Sequence, residues 1–349
     1  MSIAPDAVSP HFAVRPDWLA LREERVLEPA LPIVDAHHHL WDRPESRYFM
    51  FDFLDDVNDS GHDIRATVFM ECGAMYRKTG PSELRELGET EFANGAAAMS
   101  ASGAYGGTSV CDGIVGFCDL RRGDKVAAII ERHVAVAGGR LRGLRYIAAW
   151  HEEPTARGSM ATPPPGLLAE PDFRRGLGAL QQFGLSFETF VYHTQIDEVV
   201  SLARAFPDLP IVLNHAGGAI GIGPYAGQRD TVFQQWNAGM RALADHPNVR
   251  VKLTGLGMRM FGFGFGDQAA PPSSEELASA WSPYVLTCIE AFGAERCLFG
   301  SNFPVDKGTC SYRVLWNAFK RITAGASAAE KTALFSATAQ ALYGLSERS

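Results

Sequence analysis

The stretch that decides the fold is DAHHHLWD, residues 35–42, which follows a short apolar run. Successive side chains of a strand point to opposite faces, so His37 and His39 share a face while His38 points away. Two neutral imidazoles on one face provide half of a typical divalent-metal site. The pattern therefore predicts a first strand whose carboxyl end carries metal-binding or catalytic histidines.

Short β-rich runs alternate with helical runs outward from this stretch. Most of the β-rich runs are apolar, as expected for parallel strands that are buried on both faces. We predict eight strands, over residues 33–37, 66–71, 113–119, 142–148, 186–192, 210–214, 249–253 and 296–300. Apolar periodicity predicts helices over 124–136, 171–183, 195–206, 274–292 and 327–343. The alternation favours an α/β fold, either a (β/α)₈ TIM barrel or a long doubly wound sheet.

The chain length fits one large domain. The chain has 349 residues, and (β/α)₈ barrels run from about 200 to over 400 residues as one domain. We predict an N-terminal extension over 1–30 and a single barrel domain over 31–349, with long loops after the strands. Hydrophobic residues make up 46% of the chain, which is enough for a large core.

Charge and targeting features argue for a small-molecule substrate in the cytoplasm. The net charge is −8 without basic runs, which disfavours nucleic acid and anionic membranes as partners. The N-terminus lacks the pattern of a signal peptide, and no apolar run approaches the roughly 18 residues of a membrane span. Six cysteines without a CxxC pair fit free thiols in a reducing compartment. A homodimer is compatible with the sequence.

Three stretches are too rich in Gly, Pro or Ser to belong to the core: 102–108, 152–171 and 255–274. The last two follow the fourth and seventh strands, on the side where barrel active sites lie. Either these two stretches are flexible insertions, or they form a lid or a wall of the substrate site. Phe side chains interleaved with Gly at 261–265 would give a mobile apolar surface, as a lid or wall needs. The same segment could instead be an interface between subunits.

Further polar residues sit at predicted strand ends. His193 and His215 follow the fifth and sixth strands directly. Glu71 ends the second strand, and a buried carboxylate there needs a metal, a cation or a proton. Arg145, inside the fourth strand, could bind a substrate carboxylate or neutralise Glu71. His151 lies further into a loop, in either a substrate contact or a surface position. We expect the remaining histidines to be peripheral: His11, His62, His133 and His246.

Three motifs together resemble the amidohydrolase-2 group. They are DAHHHLWD, FVYHTQIDEVVSLARAFPDLPIVLNHAGG at 190–218 and CLFGSNFPVDK at 297–307. The group includes sugar-acid lactonases, sulfomuconolactone and pyrone-dicarboxylate lactonases, and related decarboxylases. The resemblance spans about residues 31–345, and it implies a TIM barrel that carries a metal-dependent hydrolase.

The resemblance implies four site histidines on the first, fifth and sixth strands: His37, His39, His193 and His215. It also implies an Asp on the eighth strand, where this chain has Asn302. An amide is a poor base and a weak ligand, so three interpretations stay open. Asn302 could hold the attacking water while Glu71 acts as the base. Asp306 could reach the site. The protein could also use less metal, since pyrone-dicarboxylate lactonases work without any.

The first functional hypothesis is a lactonase that uses a metal-activated water. A divalent ion, expected to be Zn²⁺, would lower the pKa of that water and polarise the carbonyl. The expected ligands are His37, His39, His193 and Glu71. The expected catalytic residues are His215, Asn302 and Glu71. The expected substrate contacts are Arg145, His151 and Asp306. The alternatives are a metal-dependent decarboxylase on the same barrel and a binding protein that has lost its base.

Overall fold

The computed structural model describes residues 10–44 and 46–345. The first nine residues of the predicted N-terminal extension, and residues 45 and 346–349 of the predicted barrel domain, lie outside the described residues. Within the described part, eight parallel strands form one sheet in which each strand pairs with its neighbour in sequence. The strands are β1 (Pro32–His38), β2 (Asp63–Met70), β3 (Ser109–Gly116), β4 (Leu141–Ile147), β5 (Ser186–Phe190), β6 (Ile211–Leu213), β7 (Val249–Leu253) and β8 (Cys297–Phe299).

The sheet closes where β1 meets the chain that leaves β8. The backbone N–H of Asn302 donates to the carbonyl of His37 at 2.7 Å, and that of His39 donates to the carbonyl of Phe303 at 2.8 Å. These bonds join the first strand to the last, and the protein is the (β/α)₈ barrel that the sequence predicts. A small antiparallel hairpin, Trp41–Arg43 with Ser46–Tyr48, follows β1.

One short helix precedes β1, and the helices that follow the strands cover the outside of the barrel. They are α1 (Pro16–Leu19), α2 (Met50–Ser60), α3 (Leu87–Ala101), α4 (Val126–Val136), α5 (Pro171–Gln182), α6 (Ile196–Ala205), α7 (Arg229–Ala244), α8 (Ser274–Phe292), α9 (Tyr312–Ile322), α10 (Ala328–Thr332) and α11 (Thr338–Tyr343). The predicted apolar face of α5 is buried, including Phe173, Leu177 and Leu180. None of the helices in the described part of the chain is long and apolar enough to span a membrane.

The predicted elements differ from the structure mainly at their ends. The third strand begins at Ser109 instead of residue 113, because Ser109 still pairs with Ala66 of β2, and it ends at Gly116 instead of residue 119. The predicted C-terminal helix is interrupted by a π-helical turn over Ala333–Ala337. Its predicted capping box is present, since the Ser327 N–H donates to the Glu330 carboxylate at 2.8 Å.

The aromatic loop at 261–265 packs against the barrel. Phe261 and Phe265 are buried, and the ring of Phe263 stacks between them at centroid distances of 6.1 and 5.7 Å. Tyr284 of α8 lies against the rings of Phe261 and Phe263. The rings are thus packed on α8, which does not fit a flexible insertion.

Candidate active site

The three histidines at the end of β1, two in the strand and His39 directly after it, point in two directions. The rings of His37 and His39 lie 5.0 Å apart on the inner face. His38 faces outward, where its ring stacks on Phe53 of α2 at 4.2 Å and its Nε2 lies 2.8 Å from the Thr67 hydroxyl. The alternation predicted from the sequence therefore holds, and His38 is a packing residue.

Asp35 braces the end of the barrel below this site. One carboxylate oxygen accepts the N–H groups of Ser301 at 2.7 Å and His37 at 3.1 Å. The other accepts the hydroxyl of Tyr312 at 2.8 Å. The carboxylate thus fixes β1 against the segment after β8, from which Asn302 projects. It contributes to the site by holding its two sides together.

Arg145 and Glu71 form a buried ion pair at the mouth of the barrel. Arg145 Nε donates to Glu71 Oε1 at 2.8 Å, with side-chain exposures of 3% and 7%. A second guanidinium nitrogen donates to the Glu71 carbonyl, and Nη1 donates to His37 Nε2 at 3.4 Å. Arg145 therefore neutralises Glu71, one of the two roles predicted for it, and places a permanent positive charge beside His37.

His39 has one ring nitrogen fixed and one directed at Asn302. Its Nδ1 lies 2.8 Å from the carbonyl of Met70, and because a carbonyl can only accept, Nδ1 carries the hydrogen. Its Nε2 lies 3.3 Å from Asn302 Oδ1. Burial, followed by the charge of Arg145, lowers the pKa of His39 well below its ordinary value. His39 is therefore neutral, with an Nε2 lone pair available to take a proton.

Asp306 lies behind Asn302 and orients its amide. The Asn302 Nδ2 group donates to Asp306 Oδ1 at 3.0 Å, and the Gly257 N–H donates to the other oxygen at 3.2 Å. Burial raises the pKa of Asp306 to about 7. Asp306 is not among the described residues that line the cavity, and its link to the cavity is the hydrogen bond from Asn302.

His215 approaches the same cluster from the end of β6. Its ring lies 4.8 Å from that of His37, and its Nδ1 lies 2.9 Å from the Thr254 hydroxyl, which leaves Nε2 for the cavity. Burial, followed by the charge of Arg145, lowers the pKa of His215 well below its ordinary value. His215 and Asn302 both have positive φ angles, of 54° and 56°. Such backbone conformations are uncommon for residues other than glycine and concentrate at functional sites.

A cavity of about 450 Å³ opens above these groups. Five of the predicted site residues line it: His39, Glu71, Arg145, His215 and Asn302. Its outer walls come from the hairpin after β1 and from 158–164, within the Pro-rich stretch after β4. That stretch therefore forms a wall of the cavity, as one of the two interpretations of the sequence expected.

Three predicted site histidines are not among the described residues that line the cavity: His37, which lies behind it against His39, His215 and Arg145, and His151 and His193, which contact Tyr225. His193 packs its ring on Tyr225 at 5.0 Å, and its Nδ1 accepts the Ile220 N–H at 3.3 Å. His151 Nε2 lies 3.1 Å from the Tyr225 hydroxyl, and its Nδ1 accepts the Glu153 N–H. A 3₁₀ turn begins at His193, and the ring of His193 lies against that of Tyr225.

The predicted metal ligands do not form a metal-binding set in this structure. Within the described ranges, no three His, Cys, Asp or Glu side chains are arranged to hold an ion. Of the four predicted ligands, His193 packs on Tyr225, and Glu71 and His37 both accept hydrogen bonds from Arg145. The atoms that Glu71 and His37 would offer to a metal are thus directed at a permanent cation. The residues present do not fit the predicted zinc centre.

The sequence prediction missed several residues of the cavity. Trp41 stacks on His39 at 5.8 Å, and the Arg43 guanidinium lies 3.9 Å above the Trp41 ring. Their position directly after the HxH pair was an available signal. His11 was expected to be peripheral but lines the cavity, which corrects that expectation. No local pattern marks His11, because folding brings it to the site from far along the chain.

Comparison with known proteins agrees with this architecture. The family model described as Amidohydrolase matches residues 34–345. Uncharacterized protein y4mH of Sinorhizobium fredii is 33% identical over 328 residues, which cover 90% of this chain and 98% of that protein. L-fucono-1,5-lactonase of Burkholderia multivorans is 26% identical over 325 residues, which cover 90% and 96%. A crystal structure of an amidohydrolase from Burkholderia multivorans with bound zinc shares the fold, with a TM-score of 0.67, 23% identity and coverage of 90% and 99%.

Proposed function

The chain belongs to the amidohydrolase family and is a hydrolase, and on this premise we propose that it opens a lactone that carries hydroxyl or carboxylate substituents. One observation carries the proposal: a neutral imidazole, a fixed guanidinium and an oriented amide line one cavity at the mouth of the barrel. These are the groups that hydrolysis of a carboxylic ester needs, namely a base, an electrostatic stabiliser and a positioning group.

Arg145 is the group that would stabilise the developing negative charge. Attack of water on the lactone carbonyl places this charge on the carbonyl oxygen. The carboxylate and the backbone carbonyl of Glu71 fix the guanidinium, so that it needs little reorganisation during the reaction. Pre-oriented donors of this kind contribute about a hundredfold to a thousandfold to the rate.

His39 is the group that would take the proton of the attacking water. Its Nε2 and Asn302 Oδ1 are both acceptors in the resting state and face each other at 3.3 Å. A proton on Nε2 converts this contact into a hydrogen bond, and Asp306 holds Asn302 in the receptive orientation. Asn302 thus stabilises the imidazolium, which gives a role to the amide at the position where an Asp was expected.

The reaction then closes without a net change in the enzyme. The water oxygen bonds to the carbonyl carbon, and the bond from that carbon to the ring oxygen breaks. The ring oxygen leaves as an alcohol, with the proton returned from His39. His215, fixed through Thr254, would hydrogen-bond the substrate or relay this proton. The cavity also presents Arg43 and Arg121, which suit hydroxyl or carboxylate substituents.

The test measures acid release from a panel of lactones that includes L-fucono-1,5-lactone, alongside carbon dioxide release from a panel of aromatic acids. We expect ring opening by the wild type, and a loss of at least about a hundredfold in kcat for His39→Gln. His246→Ala, which changes a histidine before β7 at the opposite end of the barrel, is the matched control and should retain activity.

Two outcomes would overturn the proposal. Carbon dioxide release without ring opening would favour the decarboxylase alternative. Binding of lactones without turnover of any of them would favour a non-catalytic binding protein. Unchanged turnover in His39→Gln would leave the lactonase in place but remove His39 as its base.

A further inference from the structure

The chain before β1 is fastened over the mouth of the barrel. This N-terminal segment, residues 10–31, precedes the region that the family model matches, residues 34–345. Trp18 Nε1 donates to the carbonyl of Gln268 at 3.0 Å, and Arg22 Nε donates to that of Pro271 at 3.1 Å. Both acceptors belong to the long loop after β7, on the side of the barrel where the cavity opens. The segment is therefore attached to the rim of the site.

Phe12 is the tightest point of this attachment. A Cβ added at Gly266 would lie 2.4 Å from the Phe12 ring, and one added at Gly308 would lie 2.5 Å from the Phe12 carbonyl oxygen. The Arg259 guanidinium covers the ring at 4.2 Å. Two glycines, one after β7 and one after β8, thus leave room for this single residue. Phe12 is tightly packed between these two glycines and Arg259, and this packing fixes the position of its neighbour His11.

His11, next to the packed Phe12, faces the cavity. It lines the same cavity as His39, His215 and Arg43. Burial, together with the charge of Arg43, lowers the pKa of His11 to about 4. The imidazole is therefore neutral near neutral pH, with one nitrogen that donates and one that accepts. Such a group suits a hydroxyl or a carboxylate oxygen.

We propose that the N-terminal segment completes the active site, with His11 as a specificity-determining residue that hydrogen-bonds an oxygen substituent of the bound lactone. Phe12 acts as a positioning residue that holds His11 in place. The inference rests on the proposed lactonase function for its substrate. The position of His11 in the cavity does not depend on that function and can be measured separately.

The kinetic test compares His11→Ala, His11→Gln and Phe12→Ala with the wild type on the lactones that it opens. A lost hydrogen bond to the substrate should raise KM about tenfold for His11→Ala, with kcat changed less than about threefold. His11→Gln, which keeps a donor and an acceptor, should recover most of this loss. Phe12→Ala should raise KM to a similar degree, and the double variant should add nothing to it, because both changes remove the same contact.

A merely structural role predicts a different pattern. It would lower the thermal stability of all three variants without changing KM, and glutamine would not rescue. His246→Ala is the matched control, since it removes a histidine that lies outside the cavity. Wild-type KM in both His11→Ala and Phe12→Ala would overturn the inference.

The test of the His11 position uses nuclear magnetic resonance titration of the histidine ring protons, with the His11 signal assigned by its loss in His11→Ala. In the wild type this signal should not titrate between about pH 6 and 7. In Phe12→Ala, or when Gly266→Ala displaces the ring, it should titrate near the ordinary value of about 6.5. Ordinary titration of His11 in the wild type would overturn the inference, even if lactone opening is confirmed. If the wild type opened none of the lactones, the proposed function would be overturned. The titration would still decide whether His11 lies in the cavity.

Discussion

Two buried ion pairs lie inside the barrel, and the difference between them separates function from stability. Glu71 and Arg145 meet at the mouth, where both side chains line the cavity. Glu188 of β5 and Lys252 of β7 meet deeper in the barrel at 2.8 Å, with no exposed side-chain surface. Each pair joins a glutamate to a basic side chain at 2.8 Å, but their surroundings differ.

The deeper pair is enclosed by protein donors. The Tyr343 hydroxyl of α11 donates to Glu188 Oε1 at 2.6 Å, and Asn214 Nδ2 donates to Glu188 Oε2 at 2.8 Å. Glu188 therefore ties together β5, β7, the end of β6 and the C-terminal helix. At the mouth, Arg145 instead directs a nitrogen toward His37 and faces a space that a substrate can enter. The deeper pair is closed off from a ligand by protein groups, whereas Arg145 of the other pair lines the cavity.

The largest expected effect breaks the pair at the mouth. Arg145→Met removes the positive charge and, like Lys252→Met, leaves a buried carboxylate uncompensated, so kcat/KM should fall by about a thousandfold in protein that circular dichroism shows to be folded. Arg145→Lys keeps the charge but loses the fork that binds Glu71 and His37, so it should recover only part of the activity. Steady-state kinetics on the lactone opened by the wild type give both values. Wild-type kcat/KM in Arg145→Met would show that this pair is as structural as the deeper one.

The next effect breaks the deeper pair. Lys252→Met leaves Glu188 charged and buried, which should lower the free energy of unfolding by about 3–5 kcal/mol. The double variant Lys252→Met/Glu188→Leu should regain most of this stability, because it removes the uncompensated charge. Urea unfolding followed by circular dichroism measures both variants. If Lys252→Met lost activity as fully as Arg145→Met while remaining stable, the division between the two pairs would be wrong.

The barrel could be predicted from the sequence because its strands are short apolar runs that end in polar residues. β7 agrees with its predicted bounds, and Glu71 and His215 lie at the strand ends where they were expected. The deeper pair could not be predicted in this way. Glu188 and Lys252 lie inside strands, and a charged residue there looks like an interruption until the structure shows that the two meet.

The site residues could likewise be predicted only where they lie in a strand or at its end. Strand alternation gave the shared face of His37 and His39, but it could not give the direction of a side chain beyond a strand end. His193 begins a 3₁₀ turn shortly after β5, and its ring lies against that of Tyr225. His11 depends on contacts between distant parts of the chain, which no local pattern contains.

A smaller effect concerns the amide next to the mouth pair. Burial raises the pKa of Asp306 to about 7, so its carboxylate forms as the pH rises through that value. The ionised form holds the Asn302 amide more strongly, and kcat/KM should therefore increase across this range. His39 and His215, whose pKa values are lowered well below the ordinary value, stay neutral there. Asp306→Asn should lose about tenfold in kcat/KM and lack this rise. A pH–rate profile with the same rise in Asp306→Asn would assign it to another group.

The smallest expected effect tests whether the mouth pair stands in for a metal. Zn²⁺ on the predicted ligands would have to compete with Arg145 for His37 and Glu71. If the guanidinium supplies the charge at this position, dialysis against a chelator should change kcat/KM by less than about twofold. Metal content is measured on the same samples by elemental analysis, and Arg145→Met, treated in parallel, shows whether the chelator acts elsewhere. A loss of activity that added Zn²⁺ restores would reinstate the predicted cofactor. Arg145 would then be a counterion of Glu71 alone, and the mouth pair would differ from the deeper pair only in its exposure to the substrate.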